Sequence, residues 1–246
     1  MTAANECFTK GRLRVWCTSR HGGVSESPFD TLNLGDHVGD DPKKVAINRS
    51  RIRSLCNLPD EVNWLVQTHG TAIVTDDGRA RAGAANPVQF GDAAITSKTH
   101  VVLGMLTADC FPVVLYSEMD HSVAVLHVGW RGLAAGIIEK SVAHLAKVST
   151  VWVGPGIRGC HFEVGVELKS YFNDSSFIER TGTDALMLDL PTEIRRRIGR
   201  VADATVIEHG ACTYCDESRF FSYRRDGQCG RFATLACSST STCLAR

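Results

Sequence analysis

The 246-residue chain has no apolar run near the ~20 residues that a membrane-spanning helix requires. Its opening segment, MTAANECFTKGRLRVW, lacks the apolar core of a secretory signal. An excess of charge is equally missing. Lys plus Arg and Asp plus Glu each total 27. No general field therefore draws nucleic acid or an anionic membrane, and a local basic pocket is the most that the balance permits. There is no internal repeat and no long linker. Cysteine is plentiful, at ten residues, but it lacks a compact pattern. Cys212 and Cys215 form one CxxC (CTYC) with no second pair at zinc-ribbon distance, so they read as two packed thiols. These absences predict a cytoplasmic protein with mostly reduced cysteines.

What is present is ordinary for a soluble globular chain: 43% hydrophobic and 22% charged residues. The length suffices for a substantial core in one large domain or two small ones. Asp41-Pro42 reads as a helix start, with Val45, Ile47, Ile52 and Leu55 as its apolar positions. VNWLVQTHG, TAIVTDD, SVAVLHVGW, TVWVGPGI and ATVIEHGACTY read as strands. HVVLGMLTADCFPVVLY reads as two strand segments, with Pro112 interrupting the ladder. RGLAAGIIEKSVAHLAKV and LPTEIRRRIGRV read as helices, FEVGVELKSYF fits either type, and residues 78–91 read as a loop. Several strands are not each followed by a helix, which favours one α/β-type domain of mixed strand order.

Three apolar strands end on metal-binding residue types: VNWLVQTHG on His69, VVLGMLTADC on Cys110 and SVAVLHVGW on His127. If the strands are neighbours, one thiolate and two imidazoles converge where sheet sites usually collect. Such a set suits tetrahedral zinc with a fourth position left open, the mark of a catalytic ion. Taken singly, each histidine reads as a hydrogen-bonded core or loop residue and Cys110 as a buried hydrophobe. A Cys–His nucleophile pair fits the same residues.

The stretches TSRHGGVSESPFDTLNLGDHVGDD, NRSRI, QTHGTAIV, GDAAITS, LTADCFPVVLY, HVGWRGLAAGI, GPGIRGCHFEVG and CTYCDESRFFSYRRDGQCGRFA run almost end to end. In that order they resemble the laccase-domain proteins, also called the polyphenol oxidase or peptidoglycan-editing-factor family and regarded as purine nucleoside enzymes. The resemblance implies an α+β single domain over residues 7–238, with mixed β-sheets layered between helices and a frayed tail at 239–246. It implies that His69, Cys110 and His127 hold zinc at a pocket floor, with copper as the alternative ion, and that the glycine-rich turn after His127 lets backbone approach the substrate. A true multicopper site is argued against, because none of the nine histidines forms a His-x-His pair.

The implied activity is phosphorolysis of adenosine, inosine, guanosine or 5′-methylthioadenosine, together with deamination of adenosine by water. The expected partners are a small nucleoside and phosphate. Asp109, beside Cys110, is the first candidate for the carboxyl that shuttles the proton. Arg49, Arg131 and either Arg224 or Arg225 are candidates for phosphate, because guanidinium forks match its oxygens. Asn33 is a candidate for ribose or base, with a turn role as its competitor. The rivals are a hydrolase editing UDP-muramoyl cell-wall precursors, a copper-dependent polyphenol oxidase, and a non-enzymatic protein whose zinc only joins strands. In that last reading CTYC could supply a fourth ligand. The sequence departs from the family pattern in DALMLDL and in the Ser/Thr-rich end TLACSSTSTCLAR.

Overall fold

The computed structural model describes residues 4–58, 60–75, 89–180 and 184–239. The apolar runs at 13–18, 93–96, 102–107, 111–116, 123–128, 150–153 and 232–238 become strands buried along their whole length, which happens when both faces of a sheet are covered. A five-stranded sheet runs in the order β1 (Ala4–Lys10), β2 (Leu13–Thr18), β14 (Phe232–Ser238), β6 (Val102–Thr107) and β3 (Val62–Asn63). A six-stranded sheet runs β13 (Thr205–Glu208), β9 (Thr150–Val153), β7 (Phe111–Tyr116), β8 (Val123–Val128), β5 (Ala93–Thr96) and β4 (Ile73–Thr75). A small third sheet orders β10 (Glu163–Val164), β12 (Leu186–Leu188) and β11 (Phe177–Glu179).

The two large sheets pack face to face. Leu13, Val15, Leu103 and Met105 of one interlock with Val114, Tyr116, Val125 and Trp152 of the other. The outer face of the five-stranded sheet buries Trp16, Leu106 and Leu235 against Ile52 of α1 (Pro42–Leu55) and the Leu32–Leu34 loop. The outer face of the six-stranded sheet is covered by Leu133 of α2 (Trp130–Ala134), Ile137 and Ile138 of α3 (Ile137–Val142), and Ile194 and Ile198 of α4 (Leu190–Val201). A last short helix, α5 (Tyr223–Asp226), lies at the rim of the cavity described below. The architecture is α+β, one domain of mixed sheets layered between helices. Both large sheets contain parallel as well as antiparallel pairs.

Local expectations fare unevenly. Asp41 caps α1 by accepting from the Lys43 N–H, with Pro42 at the first helical position. Yet Ile47 and Leu55 face solvent, and the buried face carries Asn48 instead. The Asn48 amide accepts from the Val24 N–H and donates to Ser25 Oγ and the Asn33 carbonyl. That helix face packs on a hydrogen-bonded loop, which the buried amide of Asn48 satisfies. The single helix expected after Arg131 is two, broken at Gly136, whose φ of +86° is left-handed and suits glycine. Pro112 stays inside β7, opposite His127, and its carbonyl accepts from Gly154. The ambiguous FEVGVELKSYF is both types, β10 followed by a 3₁₀ turn over Val166–Ser170. The strand β1 begins at Ala4, three residues before the expected domain start. The expected loop at 78–88 and tail at 240–246 lie outside the described residues.

Candidate functional site

Between β6 and β7 the chain leaves the five-stranded sheet and enters the six-stranded one. Asp109 turns that corner with a φ of +102°. A non-glycine residue in this region must be held by its surroundings. Its carbonyl accepts the Ile157 N–H at 2.8 Å. Its carboxylate accepts from Thr213 Oγ1 and from the Arg224 N–H, each at 2.7 Å. The corner delivers Cys110 beside His127, near the end of β8. His69 arrives from a loop that also turns left-handed, with φ +61°. The ligating atoms of His69, Cys110 and His127 all lie within 4.8 Å of one another, and the imidazoles meet edge to face at 4.6 Å.

The convergence is therefore real, but its construction differs from three neighbouring strand ends in one sheet. Cys110 comes from a corner between two sheets and His69 from a loop. The organiser is Asp92, fully buried just before β5. One carboxylate oxygen accepts His127 Nδ1 at 2.8 Å and the His69 N–H at 2.9 Å. The other accepts from the Gly70 N–H at 2.7 Å and from Thr68 Oγ1 at 2.8 Å. One carboxylate thus fixes the His69 loop and leaves Nε2 of His127 to face Cys110. Sequence reasoning did not single out Asp92. Its signal was an acidic residue opening the apolar run AAIT.

Charge follows this wiring. Burial pushes the Asp92 carboxyl up, but the hydrogen bonds from His127, Thr68 and Gly70 outweigh it and hold the group well below the usual carboxylate range. Burial pushes His127 down, but the Cys110 sulfur and the Asp92 carboxylate outweigh it and bring the imidazole to about 9. Burial pushes the Cys110 thiol up, but His127 and His69 prevail and bring it to about 6. At neutral pH the sulfur is a thiolate, the form that binds metal. Two imidazoles and a thiolate, backed by a carboxylate, fit zinc with three protein ligands.

Two glycines of HVGWRG leave room for the ligands and for the loop that carries His69. A Cβ at Gly129 would lie 2.9 Å from Cys110 Sγ and 3.6 Å from His69 Cδ2. One at Gly132 would lie 2.8 Å from the Gly70 carbonyl. The space left at residue 129 is filled by the sulfur.

Above the three ligands opens a cavity of about 350 Å³, within the usual range for small-molecule sites. Leu106, Ile157, Phe162 and Tyr223 give it apolar walls, and Asp109 lines it beside Cys110. Arg224 also lines it, its guanidinium over the Phe162 ring at 5.2 Å and bonded to the Glu163 carbonyl at 2.9 Å. Two basic lining residues were missed by sequence reasoning, His37 and Arg231, although both lie in the quoted stretches. Burial and the Arg231 charge push His37 down.

The other candidates lie elsewhere. Arg131 is exposed on α2, over the Trp130 ring at 4.5 Å. Arg49 lies over Trp64, donating to the Leu34 carbonyl and pairing with Asp36 at 3.2 Å. Arg225 donates to the carbonyls of Thr213, Tyr214 and Phe220. Asn33 is fully buried, and its amide ties Gly35, Asp40 and Arg231 together. That is the turn role rather than a ligand contact.

The fold and site define a small-molecule pocket built around a group able to hold one metal ion. Residues 14–239 match the family described as multi-copper polyphenol oxidoreductase laccase, and the chain belongs to it. It is 38% identical over 233 residues to a Pseudomonas aeruginosa protein named as a purine nucleoside phosphorylase, covering 91% of this chain and 93% of that one. It is 36% identical over 229 residues to Escherichia coli YfiH, also named as a purine nucleoside phosphorylase, with coverage of 89% and 91%. A solved Neisseria meningitidis protein superposes with a TM-score of 0.84 at 31% identity, covering 94% and 96%. No described helix is long and apolar enough to cross a membrane.

Proposed function

We propose that this chain is a zinc-dependent purine nucleoside phosphorylase of the cytoplasm that also deaminates adenosine. Its substrates would be adenosine, inosine, guanosine and 5′-methylthioadenosine, with phosphate or water as the second reactant. The observation that carries the reading is the convergence of His69, Cys110 and His127 under a cavity with apolar and arginine-bearing walls. The names of relatives at 36% and 38% identity support it.

The residues divide the work by chemistry. Phe162, Tyr223, Leu106 and Ile157 offer flat and apolar surface to a purine. Arg224 and Arg231 bring guanidinium groups to the same space, suited to phosphate oxygens. His37, kept neutral beside Arg231, can share a hydrogen bond without adding charge. Asp109 stands next to Cys110. Each of its oxygens already accepts one bond and retains a second lone pair, so the group can take a proton from an attacking water and return it to the purine. His69, Cys110 and His127 would hold zinc at the pocket floor, where it would supply Lewis acidity for deamination by water. Copper is the competing ion, because nitrogen and sulfur sites generally bind Cu(II) more tightly than Zn(II). Three donors at this centre are enough for a single ion and too few for a multicopper cluster.

Zinc-loaded protein given inosine and phosphate should release hypoxanthine and ribose 1-phosphate, and given adenosine and water should form inosine. A serine-bearing UDP-muramoyl nucleotide is the control for the cell-wall alternative. Hydrolysis of that nucleotide with no product from the four nucleosides would overturn the proposal.

A further inference from the structure

CTYC, read from sequence as packed thiols, is joined in space by two residues from another loop. Cys160 and His161 follow β9, while Cys212 and Cys215 follow β13. These strands are parallel neighbours, so both loops leave the same end of the sheet. Cys160 Sγ lies 3.6 Å from both Cys212 Sγ and Cys215 Sγ, and Cys215 Sγ lies 3.2 Å from His161 Nδ1. All four donor atoms fall within 4.8 Å of one another. A disulfide would need sulfurs ~2.05 Å apart. Zn–S bonds of ~2.3 Å at tetrahedral angles put sulfurs about 3.8 Å apart, close to the observed spacing. The Arg158 N–H also points at Cys212 Sγ, at 3.5 Å, as backbone donors do around ligating sulfur. His161 is braced by stacking on Tyr214 at 4.1 Å.

We infer that Cys160, His161, Cys212 and Cys215 form a second, structural zinc site with a complete Cys₃His ligand set. It clips the loop after β9, which lines the pocket, to the loop after β13, which braces Asp109. Between the clip and the cavity lie Ile157 and Phe162 on one loop and Thr213, which donates to Asp109, on the other. The Thr213 N–H donates to the Gly156 carbonyl at 3.1 Å, so backbone pairing already aligns the loops that the ion would lock.

The test uses the full chain with its first centre removed by Cys110→Ala and His127→Ala, so the result does not depend on the proposed activity. Prepared under reducing conditions and dialysed against zinc, this variant should hold one ion per chain. With cobalt it should show the intense visible absorption and thiolate charge transfer of tetrahedral sulfur ligation. Adding Cys160→Ser and Cys215→Ser should remove both signals. Should that variant not fold, alkylation of the otherwise unaltered protein gives the same reading. Zinc should slow modification of Cys160, Cys212 and Cys215 at least tenfold, as mapped by mass spectrometry. A chain that keeps no zinc once its first centre is gone, unprotected thiols, or a disulfide within the trio would overturn the inference.

Discussion

The His69–Cys110–His127 centre and the Cys160–His161–Cys212–Cys215 cluster share soft donors but are built differently. The first has three donors at the seam between two sheets, with Asp92 behind them and a cavity in front. The second has four donors on two loops at one sheet edge, with Cys160 and Cys215 exposed. Three ligands leave a coordination position for a reactant, whereas four satisfy a tetrahedral ion. What distinguishes a reactive centre from a strut is therefore the number of donors and what lies beyond them, not their chemical type.

The sharpest way to break this contrast is Cys110→Ala. Turnover of every nucleoside should fall to background, while one zinc per chain persists at the second cluster and most of the fold survives. Metal analysis paired with a nucleoside assay reads both. Retention of two ions would remove Cys110 from the centre. Asp92→Asn comes next. It keeps the side chain's shape but removes the charge behind His127, and such partners typically matter by about 10- to 100-fold in metal affinity or activity. Competition with a chelator should show that loss at the first centre and none at the second.

Gly129→Ala tests crowding. Its Cβ would press on Cys110 Sγ at 2.9 Å, and overpacking of this kind costs ~1–3 kcal/mol. Thermal melts should show that loss of stability together with weaker zinc binding. If both stay unchanged, the sulfur has room to move aside.

A pH series on metal-free protein sharpens the contrast further. The His127 pKa is raised, so its contribution to stability is fully present below the ordinary value and disappears as pH rises through about 9. The Cys110 pKa is lowered, so its contribution is present above the ordinary thiol value and disappears as pH falls through about 6. The two effects overlap between about 6 and 9. The difference in Tm between the parent chain and Cys110→Ala should be greatest within that window and shrink on either side of it.

These tests also mark what the sequence made legible. His69, Cys110 and His127 stood out because each closes or follows an apolar run, and the structure gathers them. Asp92 and Arg231 did not, because their roles depend on partners 22 to 198 positions away. The second cluster was half visible: CTYC has recognisable spacing, but Cys160 and His161 approach it only through the parallel pairing of β9 with β13. Helix α4 was legible, since the stretch LPTEIRRRIGRV spans the same residues that the structure winds into Leu190–Val201. The break at Gly136 was not, since an apolar run continues through it.

The arginines give the smallest effect and the closest test of which side of the first centre is open. By residue type Arg49, Arg131 and Arg224 are equivalent phosphate candidates, but only Arg224 lines the cavity. Arg131 lies over Trp130 on the solvent side of α2. Substitutions at such surface positions usually change stability by no more than ~0.5 kcal/mol. Arg131→Ala should therefore leave kcat and the KM for phosphate within twofold of the parent. Arg224→Ala should raise that KM about tenfold, the equivalent of ~1.4 kcal/mol of binding. If the two variants exchange behaviours, phosphate enters across α2 and the cavity described here is not where it reacts.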